Sequence, residues 1–135
     1  VSKMFLNNLN NKQKKLFIQL AIKAAEANGI VELEEKNMLK SFAIEMNIPP
    51  VYNTENNLET ILNELVSISS EQELKIILFE ILGIVVSDGV FDDDEKNIVK
   101  NIVERCKLDT NIVDEMLNAL YEYINVYKKI VSIVL

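Results

Sequence analysis

The chain has 135 residues, of which 49% are apolar and 26% charged, and its formal net charge is −7. These values indicate one soluble domain, and the acidic balance disfavours nucleic acid, which a basic face would bind. The absence of histidine and the single cysteine exclude His-based catalysis, the usual zinc sites and an internal disulfide, and they favour a reducing, cytoplasmic setting.

The first predicted helix begins after Asn10, an N-cap residue with Gln13 at the third helical position. Its apolar residues recur at helical spacing to about Ala27, and Gly29 ends it because glycine tolerates positive φ. The whole chain holds two Pro and three Gly, which favours helices joined by short loops over a sandwich or barrel.

The second predicted helix opens at Glu32–Glu35, where acidic residues suit the helix dipole, and it stops at Pro49. A short helix follows over about Leu58–Val66. Ser70 and Glu73 form a capping box that starts a helix apolar almost all round, which is typical of a buried, central helix.

Asp92 and Glu95 form another capping box, and the helix behind it carries an apolar stripe that ends at Cys106. A last helix is predicted after Thr110, with these residues inside: Ile112, Val113, Met116, Leu117, Leu120, Tyr121, Ile124 and Tyr127. For the apolar tail 130–135 we favour docking on the core; the alternative is a contact in a homo-oligomer. Six residues are too few for a membrane anchor.

An internal repeat appears when the chain is shifted by sixty positions. The shift aligns Gly29 with Gly89 and Glu35 with Glu95, and it places Cys106 opposite a core methionine, so we read Cys106 as a small buried hydrophobe. The sequence therefore predicts one all-α domain over 1–135. Two pseudo-symmetric helix–loop–helix repeats (about 10–48 and 70–108) form a bundle with a linking short helix and a C-terminal helix.

The acidic segment 87–95 holds five carboxylates and matches the second half of an EF-hand loop. Asp88, Asp92 and Glu95 can converge around Gly89, whereas Asp93 and Asp94 are expected to face solvent. The first half fails, because the first and third ligand places are Ile84 and Val86. The candidate ligands of a weak calcium or magnesium site are Asp88, Asp92 and Glu95, with Asn28, Glu32 and Glu35 in the earlier copy.

A purely structural interpretation of the same carboxylates stays open. Asp92 can cap the helix, Glu95 can close the capping box, and Asp88 can bond the amides of the turn before Gly89.

The pattern 87–96, with its degenerate copy and with the entry 5–14 into the first helix, resembles the TerB family of tellurite-resistance-associated proteins. The resemblance covers nearly the whole chain. It implies an all-helical cytoplasmic domain without known catalytic chemistry and with an acidic patch that binds metal ions or partners in bacterial stress response. Asp88, Gly89 and Glu95 match the motif, as do Gly29 and Glu35. Asn28 departs from it, because the family usually has Asp there.

Three functions follow from these observations. The first is a non-enzymatic TerB-like module whose acidic loops bind a divalent cation or a basic partner protein. The second is a metal-free interaction adaptor or immunity-type protein that uses its acidic face. The third, ranked last, is an enzyme with paired carboxylates, because such chemistry needs a concave site and these acids lie on short loops at helix starts.

Overall fold

Six α-helices and one 3₁₀ turn make up the part of the chain that the computed structural model describes, residues 5–27, 33–50, 54–86 and 91–135. No strand occurs within these ranges, so the all-α prediction is confirmed. The 3₁₀ turn is Leu6–Asn8, and the helices are α1 Asn11–Ala25, α2 Leu33–Met46, α3 Leu58–Ile68, α4 Glu71–Val85, α5 Asp93–Arg105 and α6 Asn111–Val134.

The helix starts follow the predicted caps. Asn10 and Gln13 form a reciprocal capping box at α1, and Ser70 and Glu73 form one at α4. Both helices are 15 residues long, and their bounds differ by the sixty positions of the sequence repeat. α1 ends two residues before the predicted Ala27, because the N–H of Glu26 already closes the last turn on the carbonyl of Ile22.

The ends of α2 and α5 repeat the same relation. Asn47 and Lys107 both have positive φ, 57° and 54°. The next N–H in each case bonds back to a carbonyl five residues earlier: Ile48 to Ala43 at 2.9 Å, and Leu108 to Val103 at 3.1 Å. These bonds define Schellman motifs, which satisfy carbonyls that a helix end leaves open. The boundaries and caps thus recur at sixty-residue spacing, while the two-fold packing of the repeats stays a prediction.

The core lies between α1 and α4. α1 contacts α2, α3, α4 and α5, and α4 contacts α1, α2, α5, α6 and the 3₁₀ turn. α4 is buried on most of its surface, as the sequence predicts for a central helix. Phe17 of α1 meets Phe42 of α2 edge to face, with ring centroids 5.3 Å apart, an arrangement that aromatic pairs favour and that stabilises the contact between these helices.

Cys106 is a free thiol buried at the end of α5, which confirms its interpretation as a core residue. Burial raises the pKa of this thiol to about 11, and nearby Arg105 offsets only part of the rise. The thiol therefore stays protonated at neutral pH, and thiolate is the nucleophilic form of cysteine.

The prediction that the C-terminal tail docks on the core is wrong. α6 continues to Val134 as a regular helix, but Ile130, Ile133, Val134 and Leu135 are 51–98% exposed. Tyr121 and Tyr127, expected inside, are also about half exposed. The physical reason is length: 24 helical residues extend about 36 Å, and the body covers only the first half.

Candidate functional site

The first turn of α5 concentrates acidic side chains. The Oδ1 atom of Asp92 accepts a hydrogen bond from the N–H of Glu95 at 2.9 Å, and Oε1 of Glu95 accepts one from the N–H of Asp92 at 3.2 Å. The capping box predicted from the sequence is therefore confirmed. Each carboxylate satisfies an N–H that the helix start leaves open, and negative charge is favourable at this end of a helix.

Glu95 is nearly completely buried, and so is its counterpart Glu35 near the start of α2. Phe91 lies just before the box, and the ammonium group of Lys96 is 5.8 Å from the centre of its ring. A buried carboxylate that bonds to the backbone holds its helix start in one arrangement. The structural role of Glu95 is thus visible directly, whatever else the residue binds.

Asp93 and Asp94 point into solvent, as predicted. Neither has an ion pair with any residue in the described ranges. The two carboxylates therefore present exposed negative charge beside the capping box, in a chain whose overall charge is also negative.

The six candidate metal ligands divide into two groups. Asp88, Asn28 and Glu32 lie outside the described residues. Asp92 and Glu95 are brought together by the capping box, and Glu35 lies near the start of another helix, α2. Within the described ranges, no three His, Cys, Asp or Glu side chains are grouped closely enough to hold a metal ion. The ligand set therefore stays a prediction.

Sequence reasoning missed one titratable residue. Glu80 lies in the middle of α4 and is completely buried, and neither of its carboxylate oxygens makes a hydrogen bond of normal geometry to a described residue. Burial raises the pKa of Glu80 to about 8; a weaker interaction with the backbone of Phe5 lowers it in part, and the charge of Glu45 raises it further. The signal was present in the sequence: a helix that is apolar on every side offers no polar face for a glutamate in its middle.

Comparison with known proteins gives a structural relative. No protein-family model and no curated protein sequence matches the chain. A tellurite resistance protein from Nostoc punctiforme has a similar solved structure, with a TM-score of 0.70 at 17% identity; the match covers 93% of this chain and 82% of that one. The fold is therefore TerB-like, and the resemblance read from the acidic motif is confirmed at the level of the fold.

In the part of the chain that the structure describes, no helix combines the length and the apolar character that crossing a bilayer requires.

Proposed function

We propose that this protein is a non-enzymatic TerB-like module of a bacterial stress response, such as resistance to tellurite. In this proposal, the acidic start of α5 and the segment before it bind a divalent cation or a basic surface of a partner protein. The exposed carboxylates of Asp93 and Asp94, next to the capping residue Asp92 on a TerB-like fold, support the proposal most directly. The absence of histidine and the protonated, buried Cys106 support a role without catalysis.

A carboxylate that caps a helix can also bind a cation, because it has two oxygens with about four acceptor positions, and Oδ1 of Asp92 accepts one backbone hydrogen bond. Calcium takes six to eight oxygen ligands, so Asp92 and Glu95 must be joined by others, for which Asp88 is the candidate in the sequence. Asn28 replaces a carboxylate with a neutral amide in the earlier copy, so we expect the later copy to bind more tightly.

The second candidate is a metal-free adaptor or immunity-type protein. It is favoured by a specific observation: two of the candidate ligands, Asp92 and Glu95, already have a structural role as capping residues. In that case the exposed Asp93 and Asp94 would attract a basic partner through the long-range field of the acidic chain.

The capping chemistry supplies a variant that separates the two candidates. Asp92→Ser with Glu95→Gln keeps a capping box, since serine is a good N-cap and glutamine closes a box in α1 of this same chain. The double variant removes both negative charges. If a cation binds here, calcium or magnesium at millimolar concentration shifts the amide NMR signals of residues 88–95 in the parent, and the variant loses that response without losing stability.

The matched control is Glu64→Gln, which removes an exposed carboxylate from α3. The control is expected to keep the full cation response. If the amide signals of the parent do not shift with added cation, the cation-binding proposal is wrong and the metal-free adaptor is the candidate that remains. A response that persists in the double variant would place the cation elsewhere on the surface.

A further inference from the structure

Helix α6 runs past the body of the protein. Leu120 is its last fully buried residue, and most of the large apolar side chains left exposed in the described structure come after it: Tyr121, Tyr123, Val126, Tyr127, Ile130, Ile133, Val134 and Leu135. Monomeric soluble proteins rarely leave a contiguous apolar patch larger than a few hundred Å². We therefore expect a binding partner to cover apolar side chains in the second half of α6.

The apolar stripe of α6 has the spacing of a coiled-coil seam. Its positions alternate in steps of four and three along the whole helix: Val113, Leu117, Leu120, Ile124, Tyr127, Val131 and Val134. Such a seam faces one neighbour along its length. The first three residues meet the body of the protein, whereas the exposed Tyr127 and Val134 lack that neighbour.

The same helix borders an open groove. The groove lies between α5 and the first half of α6, has a volume of about 460 Å³, and has an almost wholly apolar surface formed by Phe91, Val99, Val103, Val113 and Leu117. Charged side chains line it as well: Lys96, Lys100, Glu104 and Asp114. Among the described residues, one helix therefore carries an uncovered apolar stripe at one end and borders an open apolar groove at the other.

We propose that two copies of this chain form an antiparallel, two-fold dimer through α6. The second half of α6 in each copy lies in the α5–α6 groove of the other, so each protomer supplies one helix end and one groove. This arrangement closes on itself and covers both the stripe and the groove, while Val126 and Ile133 on the other side of α6 stay exposed. It does not depend on the function proposed for the acidic site.

Charge complementarity sets the direction and register of the pair. Asp114 and Lys128 lie seven positions before and seven after Tyr121, and both are exposed. An antiparallel pair of α6 helices centred on Tyr121 places Asp114 of one copy opposite Lys128 of the other. The two-fold symmetry gives two such pairs in each dimer. A parallel pair would set like charges opposite each other, which is unfavourable.

The contact area is adequate for a dimer of modest affinity. A helix end of about 14 residues is about 21 Å long, and a groove hides roughly half its circumference, so two contacts bury roughly 600 Å² per protomer. The total lies at the lower edge of stable interfaces, which run from about 1,200 Å². We therefore expect dimerisation in the micromolar range.

The test is sedimentation velocity of the full chain over about 5 to 200 µM, where a micromolar dimer changes its population with concentration. The parent should shift from monomer to dimer. Tyr127→Glu with Val131→Glu places charge on the stripe and should leave a monomer. The matched control is Val126→Glu with Ile133→Glu, two exposed apolar residues on the other side of α6, and it should still dimerise.

A charge exchange tests the register itself. Asp114→Lys alone should weaken the dimer several-fold, because it places two lysines opposite each other. Asp114→Lys combined with Lys128→Asp should restore the parent affinity. All these substitutions are at exposed or half-buried positions of α6, and circular dichroism checks that the helix content is kept.

Three outcomes would overturn the proposal. A parent that stays monomeric at 200 µM has no such dimer. A dimer that survives the stripe variant but fails in the control variant uses the other side of α6. A monomeric parent that co-sediments with vesicles of anionic lipid through the stripe has a membrane surface as the occupant instead of a second copy.

Discussion

The two helix pairs α1–α2 and α4–α5 share their boundaries but not their surroundings. α1 and α4 start with capping boxes and end at the same relative position, and α2 and α5 are each followed by a residue with positive φ and by the same type of back-bond. Yet equivalent positions carry different chemistry. Leu20 of α1 and Glu80 of α4 are both completely buried, one as an ordinary core residue and one as a carboxyl group without a hydrogen bond of normal geometry to any described residue.

The capping boxes show the same contrast. Gln13 is completely buried and donates from Nε2 to Oγ of Ser69 at 2.9 Å, whereas its counterpart Glu73 is partly exposed. The backbone of Ser70 and then the side chain of Gln13 lower the pKa of Glu73, so the two boxes adjoin each other. The comparison shows that residues close in sequence decide where a helix starts and stops. The position of the helix in the bundle decides whether each side chain is buried and which groups it contacts.

The largest expected effect comes from Glu80. In the folded protein the pKa of Glu80 is about 8, above the usual value of 4.5. Between these two pH values the folded state keeps the proton on Glu80, whereas the unfolded state releases it. The free energy of unfolding should therefore fall as pH rises from about 5 to about 8, by roughly 1.4 kcal/mol for each pKa unit of the shift. Glu80→Gln should remove this slope, as measured by urea unfolding at several pH values.

A second substitution makes the comparison with α1 direct. Glu80→Leu gives α4 the residue type found at Leu20, and it should stabilise the protein most above pH 8, because a buried charge is then replaced by an apolar group. Glu64→Gln, at an exposed site, should follow the parent curve. Parallel pH curves for the parent and Glu80→Gln would show that Glu80 does not carry the pH dependence.

Smaller effects are expected at the caps. Removing an N-cap side chain costs about 0.5–2 kcal/mol. The loss of stability in Asn10→Ala should lie near the upper end of this range, because its capping box includes the buried Gln13. The loss in Ser70→Ala should lie near the lower end, because its capping box is exposed. Thermal and urea unfolding measure both. Equal costs would mean that burial of the box adds nothing to the cap.

The smallest effects are expected at the helix ends. Lys107→Gly should stabilise the protein by about 0.5–1 kcal/mol, because lysine is strained at positive φ and glycine is not. Asn47→Gly should change stability by only a few tenths of a kcal/mol, because asparagine tolerates the left-handed region. Lys100→Gly, inside α5, is the control and should cost about 1 kcal/mol. A gain at Asn47 equal to that at Lys107 would contradict the argument.

Much of the fold was predictable because its signals are local. The capping boxes at Asn10, Ser70 and Asp92 each lie within four residues of the chain, and their geometry appears as the sequence predicts. The apolar periodicity of α1 and α5 likewise identified their buried faces, and the apolar character of α4 on almost all sides identified it as a central helix. The candidate site was predictable only in part: the sequence indicated that Asp92 and Glu95 belong together, but counting ligands could not decide between capping and cation binding.

By itself, the sequence determined where most helices begin and end, the repeat at sixty positions and the acidic start of α5, since these depend on neighbouring residues and spacing. Only the tertiary structure decided that Glu80 is completely buried in the core, that Glu35 and Glu95 are covered, and that α6 extends beyond the body. Burial depends on what other helices place against a face, and periodicity shows that a face is apolar without showing how much of it the remaining chain can cover.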